Sequence, residues 1–148
     1  MTIKFYRARE APYGCFSNFA PYGFALDGAW WPTSEHYFQA QKSSGTPHVE
    51  EVRRAQSPAL AARMGRSRSR QLRADWEQVK DEVIRRGVLH KFHANPDIRT
   101  ILLATGNEEI IEDAPRDYYW GCGTKGTGQN KLGRILMEVR DTLWRREP

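Results

Sequence analysis

Alternating apolar and polar positions predict short β-strands in three regions of the chain. Residues 3–6 alternate in this way, and residues 109–112 form another short segment of apolar and acidic residues. Between these two segments, apolar runs at 24–26 and 29–31 flank an Asp-Gly pair. Asp-Gly between apolar runs predicts a β-hairpin, because both residues accept the positive φ that a two-residue turn requires.

Helical periodicity covers most of the remaining chain, and capping residues divide it into six predicted helices. These cover about residues 33–42, 48–56, 58–64, 76–93, 96–104 and 130–145. Ser57 followed by Pro58 predicts a helix start, and Gly65 predicts the end of the same helix. The segments 15–21 and 113–131 are predicted to be loops. The predicted fold class is therefore α+β, with one helix-rich domain over residues 1–148 and a few short strands.

The helix after the hairpin carries an unusual mixture of side chains. It begins within residues 32–34, either with the proline at the first helical position or with a Thr or Ser cap. Glu35, Phe38, Gln39 and Lys42 then fall on one helical face, at spacings of three and four residues. A face that only packs in a core would be apolar. The same pattern also describes a solvated Glu and Lys around a core aromatic residue, so spacing alone leaves both interpretations open.

Composition narrows the class of protein. No stretch approaches the about 18 apolar residues of a membrane span, and the N-terminus lacks the apolar region of a signal peptide. We therefore expect a cytoplasmic protein that does not bind membranes. Cys15 and Cys122 lie far apart and belong to no CxxC or Cys/His cluster. They are predicted to be free thiols in a reducing compartment, and no structural zinc is expected.

The basic residues point to an anionic partner. The formal net charge is +5, and 17 arginines outnumber 6 lysines. Arginine suits phosphate groups, so a phosphorylated small molecule and a nucleic acid are both candidate partners, while a charge of this size also serves solubility alone. Five arginines fall within eleven residues at positions 63, 66, 68, 70 and 73. This run fits a phosphate site, a nucleic-acid patch or a solvated face equally well.

Two further features have both a chemical and a structural interpretation. The glycines of residues 121–128 precede the last predicted helix, where backbone N–H groups and the helix dipole favour an anion. Their spacing matches neither a Walker A motif nor GxGxxG, and a tight connection also requires glycine. Trp76 and the aromatic residues beside Asp117 can stack on a base, although Trp76 also fits a core stripe. Asp117 among aromatic rings is a candidate for proton transfer.

Six sequence blocks, taken together, resemble the NADAR family of YbiA-like proteins. The blocks are FSNF at 16–19, WPTSEHYFQAQK at 31–42, AARMGR at 61–66, DWEQVK at 75–80, DYYWG at 117–121 and NKLGRILM at 130–137. They occur in the family order and span essentially the whole chain. The glycine-rich residues 121–128 cannot be matched to the family residue by residue.

The resemblance implies hydrolysis of an N-glycosidic bond without a cofactor. The implied substrates are ribosylamino-pyrimidine phosphates, the early intermediates of riboflavin biosynthesis, from which ribose 5-phosphate is released. Glu35 is the first choice for the carboxylate that stabilises positive charge on the sugar or activates water, and Asp117 is the second carboxylate or an anchor for a ribose hydroxyl. The resemblance further implies that Trp76 stacks on the pyrimidine, and that Lys42 completes the phosphate site or reacts with the sugar as a Schiff base.

The remaining predicted substrate contacts are less specific. Arg63 and Arg66, with backbone of the glycine-rich loop, are predicted to hold the 5′-phosphate. Asn18, Trp120 and Gly121 lie within matching blocks and complete the predicted substrate-binding set. The sequence alone does not determine the oligomeric state.

Two alternative functions stay open at this stage. Other members of the family are implied to remove ADP-ribose from guanine in nucleic acid, which would make ADP-ribosylated DNA or RNA the partner. The arginine run also allows a non-catalytic module that binds nucleotide or nucleic acid. Binding alone, however, would not require Glu35, Trp76 and Asp117 together.

Overall fold

The computed structural model describes residues 1–146 and confirms the α+β class. The strands are β1 (Thr2–Phe5), β2 (Phe24–Leu26), β3 (Ala29–Trp31) and β4 (Glu109–Glu112). The helices are α1 (Ser34–Gln41), α2 (His48–Arg53), α3 (Pro58–Arg66), α4 (Trp76–Ala94), α5 (Pro96–Ala104) and α6 (Lys131–Arg146), with a 3₁₀ helix at Tyr13–Phe16. None of the helices within residues 1–146 is long and apolar enough to span a bilayer.

The chain folds into two compact units. The first unit contains residues 1–20 together with the chain from residue 95 onward, and the second contains Pro21–Ala94. The first unit is built around β1 and β4, which pair in parallel with Ile3 opposite Ile110. Helix α6 packs closely on β4, because a Cβ at Gly133 would overlap the carbonyl oxygen of Ile110.

The second unit begins with the predicted hairpin. β2 and β3 pair in antiparallel register, with Phe24 opposite Trp31. Asp27 and Gly28 have φ angles of 54° and 77°, the positive values that a tight hairpin turn requires. The Trp31 indole N–H donates to the carbonyl oxygen of Leu26 at 2.9 Å, so the hairpin also carries a buried side-chain hydrogen bond.

Helix α1 follows the hairpin and is the centre of the second unit. It packs against β3, α2, α3 and α4, and all of residues 34–40 are buried. Thr33 is the N-cap, because its side-chain oxygen accepts the backbone N–H of His36 at 3.1 Å. This cap decides between the three starts that the sequence allowed within residues 32–34.

The His36 imidazole forms two further hydrogen bonds at the N-terminal end of α1. Its Nε2 lies 2.9 Å from the carbonyl oxygen of Ala55, which can only accept, so Nε2 carries the proton. Its Nδ1 lies 2.7 Å from the Thr33 hydroxyl, which donates to it. Burial lowers the pKa of His36, which agrees with a neutral ring in this network.

A polar cluster of Asp27, Tyr37 and Arg86 joins the hairpin turn to α1 and α4. The Tyr37 hydroxyl donates to Asp27 Oδ2 at 3.0 Å, and Arg86 donates to Asp27 Oδ1 at 2.9 Å. Tyr37 is only 1% exposed. Burial and the Asp27 carboxylate both raise the pKa of Tyr37, so the hydroxyl stays protonated as the donor of this bond.

Local predictions were wrong at several helix boundaries. Gly65 does not end α3, which continues through Arg66 to a cap at Ser67. Glycine is needed there for close packing, because a Cβ would overlap the Gln39 side chain of α1. Helix α2 ends at Arg53 rather than near residue 56, and the predicted loop over 15–21 overlaps the 3₁₀ helix.

We predict that Tyr37→Phe lowers the free energy of unfolding by about 1 kcal/mol, because the variant loses a partly buried hydrogen bond to a carboxylate that still binds Arg86. Urea denaturation monitored by circular dichroism measures the change. Tyr6→Phe is the matched control, since Tyr6 is 43% exposed and its change is expected to stay within about 0.5 kcal/mol. Equal midpoints for the two variants would contradict the structural role of this hydroxyl.

Candidate active site

The predicted site residues are distributed over both compact units. Glu35, Lys42, Arg63, Arg66 and Trp76 all belong to the second unit. Four others belong to the first unit: Asn18, Asp117, Trp120 and Gly121. Most of the predicted chemistry therefore lies in the second unit.

A pocket of about 420 Å³ opens in the second unit where α1 and α3 end and α4 begins. One side is formed by the loop that leaves α3, and the backbone N–H of Arg73 joins this loop to α1 through the carbonyl oxygen of Lys42 at 2.9 Å. The lining residues carry several positive charges and one large aromatic ring. They are Lys42, Ser43, Gly65, Arg66, Ser67, Arg68, Arg70, Gln71, Leu72 and Trp76.

Glu35 lies on α1 and is only 7% exposed. Its Oε2 accepts a hydrogen bond of 2.7 Å from the Gln39 side-chain amide, one helical turn further along. The carboxylate also acts electrostatically on Lys42 and partly offsets the decrease in pKa that burial causes at that amine. Glu35 is not among the residues that line the pocket, and it is connected to the pocket through its electrostatic interaction with Lys42.

The Lys42 ammonium lies beside two aromatic rings. Its Nζ is 5.6 Å from the centre of the Phe38 ring and 5.9 Å from that of Trp76. Burial lowers the pKa of Lys42, and the charges of Arg66 and Lys80 lower it further against the opposing effect of Glu35. A lysine in such surroundings reaches its neutral, nucleophilic form at lower pH than an exposed lysine.

Trp76 combines the two roles that the sequence left open. It is buried and packs on Phe38, with ring centres 5.1 Å apart and planes at 58°. It also lines the pocket, at the start of α4. Its burial in the core holds the indole in place, so that its pocket side presents a fixed apolar surface.

The arginine run divides into different environments. Arg66, Arg68 and Arg70 line the pocket, whereas Arg63 is exposed on α3 and is not among the lining residues. Arg70 is oriented by Glu51 at 2.8 Å and by the carbonyl oxygen of Met64 at 3.4 Å.

Arg73 binds Asp75, with a shortest distance of 2.6 Å. Its guanidinium is therefore paired with the carboxylate just before α4, and Arg73 is not among the residues that line the pocket.

Asp117 has a structural task within the first unit. Its Oδ1 accepts the backbone N–H groups of Tyr119 at 3.0 Å and of Trp120 at 2.8 Å. The Trp120 ring packs edge-on against Tyr119, with centres 4.8 Å apart. Asn18 is half-buried at the end of the 3₁₀ segment.

The glycine-rich loop uses its backbone donors internally, which argues against the predicted phosphate contacts. The N–H groups of residues 122, 123, 126 and 128–132 all donate to carbonyl oxygens of residues 112–123. The first two N–H groups of α6, those of Lys131 and Leu132, belong to this set and already have acceptors. Gly121 is also needed for packing, because a Cβ there would meet Ala114 at 2.9 Å.

Some residues contribute to the site only through tertiary contacts that the sequence does not reveal. The helical spacing predicts that Gln39 shares a face with Glu35, but it does not predict the hydrogen bond between the two side chains. Arg68 and Arg70 belong to the predicted arginine run, but only the loop path brings them to the pocket. No group of His, Cys, Asp and Glu side chains within residues 1–146 is arranged to hold a metal ion.

Comparison with known proteins agrees with the motifs. A family model described as the NADAR domain matches residues 4–144 and so includes nearly all of both units. The N-glycosidase YbiA of Escherichia coli is 49% identical over 141 residues, covering 95% of this chain and 88% of that protein. The N-glycosidase Npun_R5314 of Nostoc punctiforme is 46% identical and covers 97% of this chain and 93% of its own length.

A longer relative and a solved structure extend the comparison. The riboflavin biosynthesis protein VVA0006 of Vibrio vulnificus is 42% identical over 99% of this chain, which corresponds to 40% of that protein. The NMR structure of E. coli YbiA matches with a TM-score of 0.90 at 47% identity, covering 99% of this chain and 86% of that chain. The match in sequence and in fold confirms the resemblance of the motifs: the chain belongs to the NADAR family.

Proposed function

We propose that this protein is an N-glycosidase that hydrolyses the ribosyl C–N bond of ribosylamino-pyrimidine phosphates from early riboflavin biosynthesis. The products are ribose 5-phosphate and a free aminopyrimidine. The observation that carries the proposal is the pairing of Glu35 with Lys42 beside a pocket lined by arginines. The relatives named N-glycosidase and riboflavin biosynthesis protein support the same reaction and substrate class.

The reaction begins with cleavage of the bond between ribose C1 and the exocyclic nitrogen. The electron pair leaves with the nitrogen, which takes up a proton, and positive charge develops on C1 and the ring oxygen. The Glu35 carboxylate stabilises this charge and activates the water that completes hydrolysis. Its low exposure strengthens the interaction, because little water screens it. Trp76 stacks on the pyrimidine from its side of the pocket.

Lys42 provides a covalent route for the same sugar. The neutral amine adds to C1 as the bond from C1 to the pyrimidine nitrogen breaks, and the aminopyrimidine leaves with the proton that the amine loses. The resulting lysine–ribosyl adduct opens its ring to an imine, and water hydrolyses this imine to release ribose 5-phosphate and the free lysine. The lowered pKa of Lys42 makes the neutral amine more abundant near neutral pH than it is for an exposed lysine. The Glu35 carboxylate exchanges the protons that these steps require.

The 5′-phosphate is held by the arginine loop. Arg66, Arg68 and Arg70 line the pocket, and guanidinium groups bind phosphate through paired N–H donors. The contacts of Arg70 with Glu51 and Met64 hold that side chain in place before substrate arrives. The substrate contacts predicted for the first unit stay predictions; they concern Asn18, Asp117, Trp120 and Gly121. The contacts that the structure describes for Asp117 and Gly121 stabilise the loop itself.

Two other functions stay as competing predictions. The release of ADP-ribose from modified guanine would use the same pocket and more of its positive charge. A non-catalytic module would bind anions and form no product. Incubation of the protein with both substrate types separates the three, because ribose 5-phosphate and ADP-ribose are distinct products and absence of both rejects catalysis.

Glu35→Gln is expected to fold normally and to lower the rate of ribose 5-phosphate release by at least about 10³-fold, because the amide cannot stabilise a cationic sugar or activate water. A discontinuous assay of ribose 5-phosphate measures the rate, and the thermal midpoint verifies folding. Near wild-type turnover in the folded variant would exclude Glu35 as the essential carboxylate.

On the covalent route, Lys42→Arg is expected to abolish turnover and covalent trapping, because a guanidinium stays protonated and forms no imine. Borohydride added during turnover should reduce the imine and increase the mass of the wild-type protein by one sugar phosphate. Lys80→Arg is the matched control, since it keeps the charge beside Lys42 and retains the Lys42 amine. Full turnover of Lys42→Arg, with no trapped adduct in the wild type, would restrict Lys42 to an electrostatic role.

The pH dependence has a defined sign if the amine is the nucleophile. Turnover should rise with pH until the lowered pKa of Lys42 is passed, because the neutral fraction grows over that range. Lys80→Gln removes a charge that lowers this pKa and should move the rise to higher pH.

Arg66→Ala is expected to raise KM for the phosphorylated substrate by about 10-fold with a smaller change in kcat, because one charged hydrogen-bonding group to phosphate is lost. Arg63→Ala is the matched control from the same helix, and its exposed position outside the pocket predicts an unchanged KM. Equal effects of the two substitutions would place the phosphate outside this pocket.

A further inference from the structure

Gln39 carries a buried amide that the proposed reaction does not use. Its side chain is almost fully inside the second unit, with 3% of the residue exposed. The amide nitrogen donates to Glu35 Oε2 at 2.7 Å, while the amide oxygen has no hydrogen-bond partner within the described chain. A half-satisfied amide disfavours folding relative to an apolar side chain of the same size. Its presence at this position therefore calls for a task other than packing.

The orientation of the amide is determined by Glu35. A carboxylate oxygen can only accept, so the group that faces it at 2.7 Å must be the N–H side of the amide. The reversed orientation would place two oxygens against each other. The Gln39 oxygen is therefore held on the opposite side, against α3.

Gly65 provides the space for this orientation. A Cβ at residue 65 would overlap the Gln39 oxygen and lie 2.8 Å from the amide carbon. The α-carbon of Gly65 thus packs against the Gln39 amide, and Gly65 itself lines the pocket. Helix α3, the Gln39 amide and the Glu35 carboxylate form one continuous contact, from the pocket wall to the proposed catalytic group.

We propose that Gln39 is a positioning residue, which holds the Glu35 carboxylate ionised and in one rotamer by a hydrogen bond that Gly65 makes room for. The role of Glu35 rests on the proposed function. The bond engages Oε2 from a neutral donor one turn along the same rigid helix. Such a donor favours the charged form of a carboxylate without neutralising it.

The Lys42 amine is the cation that competes with Gln39 for the Glu35 carboxylate. At the C-cap of α1, the Lys42 amine interacts with Glu35, and Arg66 of α3 and Lys80 of α4 act on Lys42. If Glu35 were free to rotate, the nearest cation would determine its position. The neutral Gln39 donor keeps it oriented independently of the protonation state of Lys42.

Gln39→Met tests the proposal, because Met has a similar length and suits a helix but has no donor. We expect kcat to fall by about 10²-fold with KM within about twofold of wild type. We assign the acidic limb of the pH–rate profile to ionisation of Glu35, as distinct from the rise in turnover that is assigned to Lys42. This limb should move to higher pH, because a carboxylate that loses a donor ionises less readily. Gln41→Met on the same helix is the matched control and should leave both quantities unchanged.

Gly65→Ala tests the same contact from the other side and keeps the proposal testable if Gln39→Met does not fold. The added methyl group displaces the amide, so the same loss of kcat and the same shift of the acidic limb are expected. In the double variant the two losses should not multiply, because both remove one interaction. Multiplying losses, or an unmoved acidic limb and wild-type kcat in Gln39→Met, would overturn the proposal.

A measurement without substrate separates this proposal from the proposed function. The ¹³C chemical shift of the Glu35 carboxyl is followed against pH in wild type and in Gln39→Met, and the midpoint should move to higher pH in the variant. An identical midpoint overturns the positioning role, even if no substrate is turned over. Absence of ribose 5-phosphate release by the wild-type protein rejects the proposed function alone, and the shift of the carboxyl titration then still supports the contact.

Discussion

The enclosure of a polar helix is the constraint on which the second unit depends. Helix α1 packs against β3, α2, α3 and α4, although most of its eight residues have polar side chains. Burial of polar groups is unfavourable unless each finds a partner, so the neighbouring elements are arranged to provide partners. Thr33 and Ala55 bind the His36 ring, and the hairpin turn binds Tyr37 through Asp27. Glu35 receives its donor from within the helix.

The same enclosure accounts for the lowered pKa of Lys42. Lys42 follows the last residue of α1, and its amine lies beside the Phe38 and Trp76 rings at the pocket. Removal of water lowers the pKa of the amine, and the Glu35 carboxylate limits that decrease. A lysine on an exposed helix face would have neither the lowered pKa nor a side chain held in one orientation. Packing and the proposed chemistry therefore depend on the same few residues.

Sequence predictions succeeded where a local pattern determines the backbone. The Asp27-Gly28 turn, the Ser57-Pro58 helix start and the strand at residues 109–112 depend on neighbours in sequence, and all three are present. The prediction failed at Gly65, because a glycine near a helix end has the same local signature whether it stops the helix or admits a neighbouring side chain. Only the position of Gln39 on another helix distinguishes the two cases. The same limit applies to Arg63 and Arg70, whose places relative to the pocket depend on the loop path.

The two predicted anion sites differ in whether their donors have internal acceptors. In the glycine-rich loop of the first unit, the backbone N–H groups are directed to carbonyl oxygens of the same loop, so glycine density there reflects tight packing. In the second unit the donors are arginine side chains, which extend beyond the backbone that carries them. Arg70 shares its charge with Glu51, whereas Arg66 and Arg68 have no ion-pair partner among residues 1–146. These two guanidinium groups therefore supply most of the uncompensated positive charge that an incoming phosphate would meet.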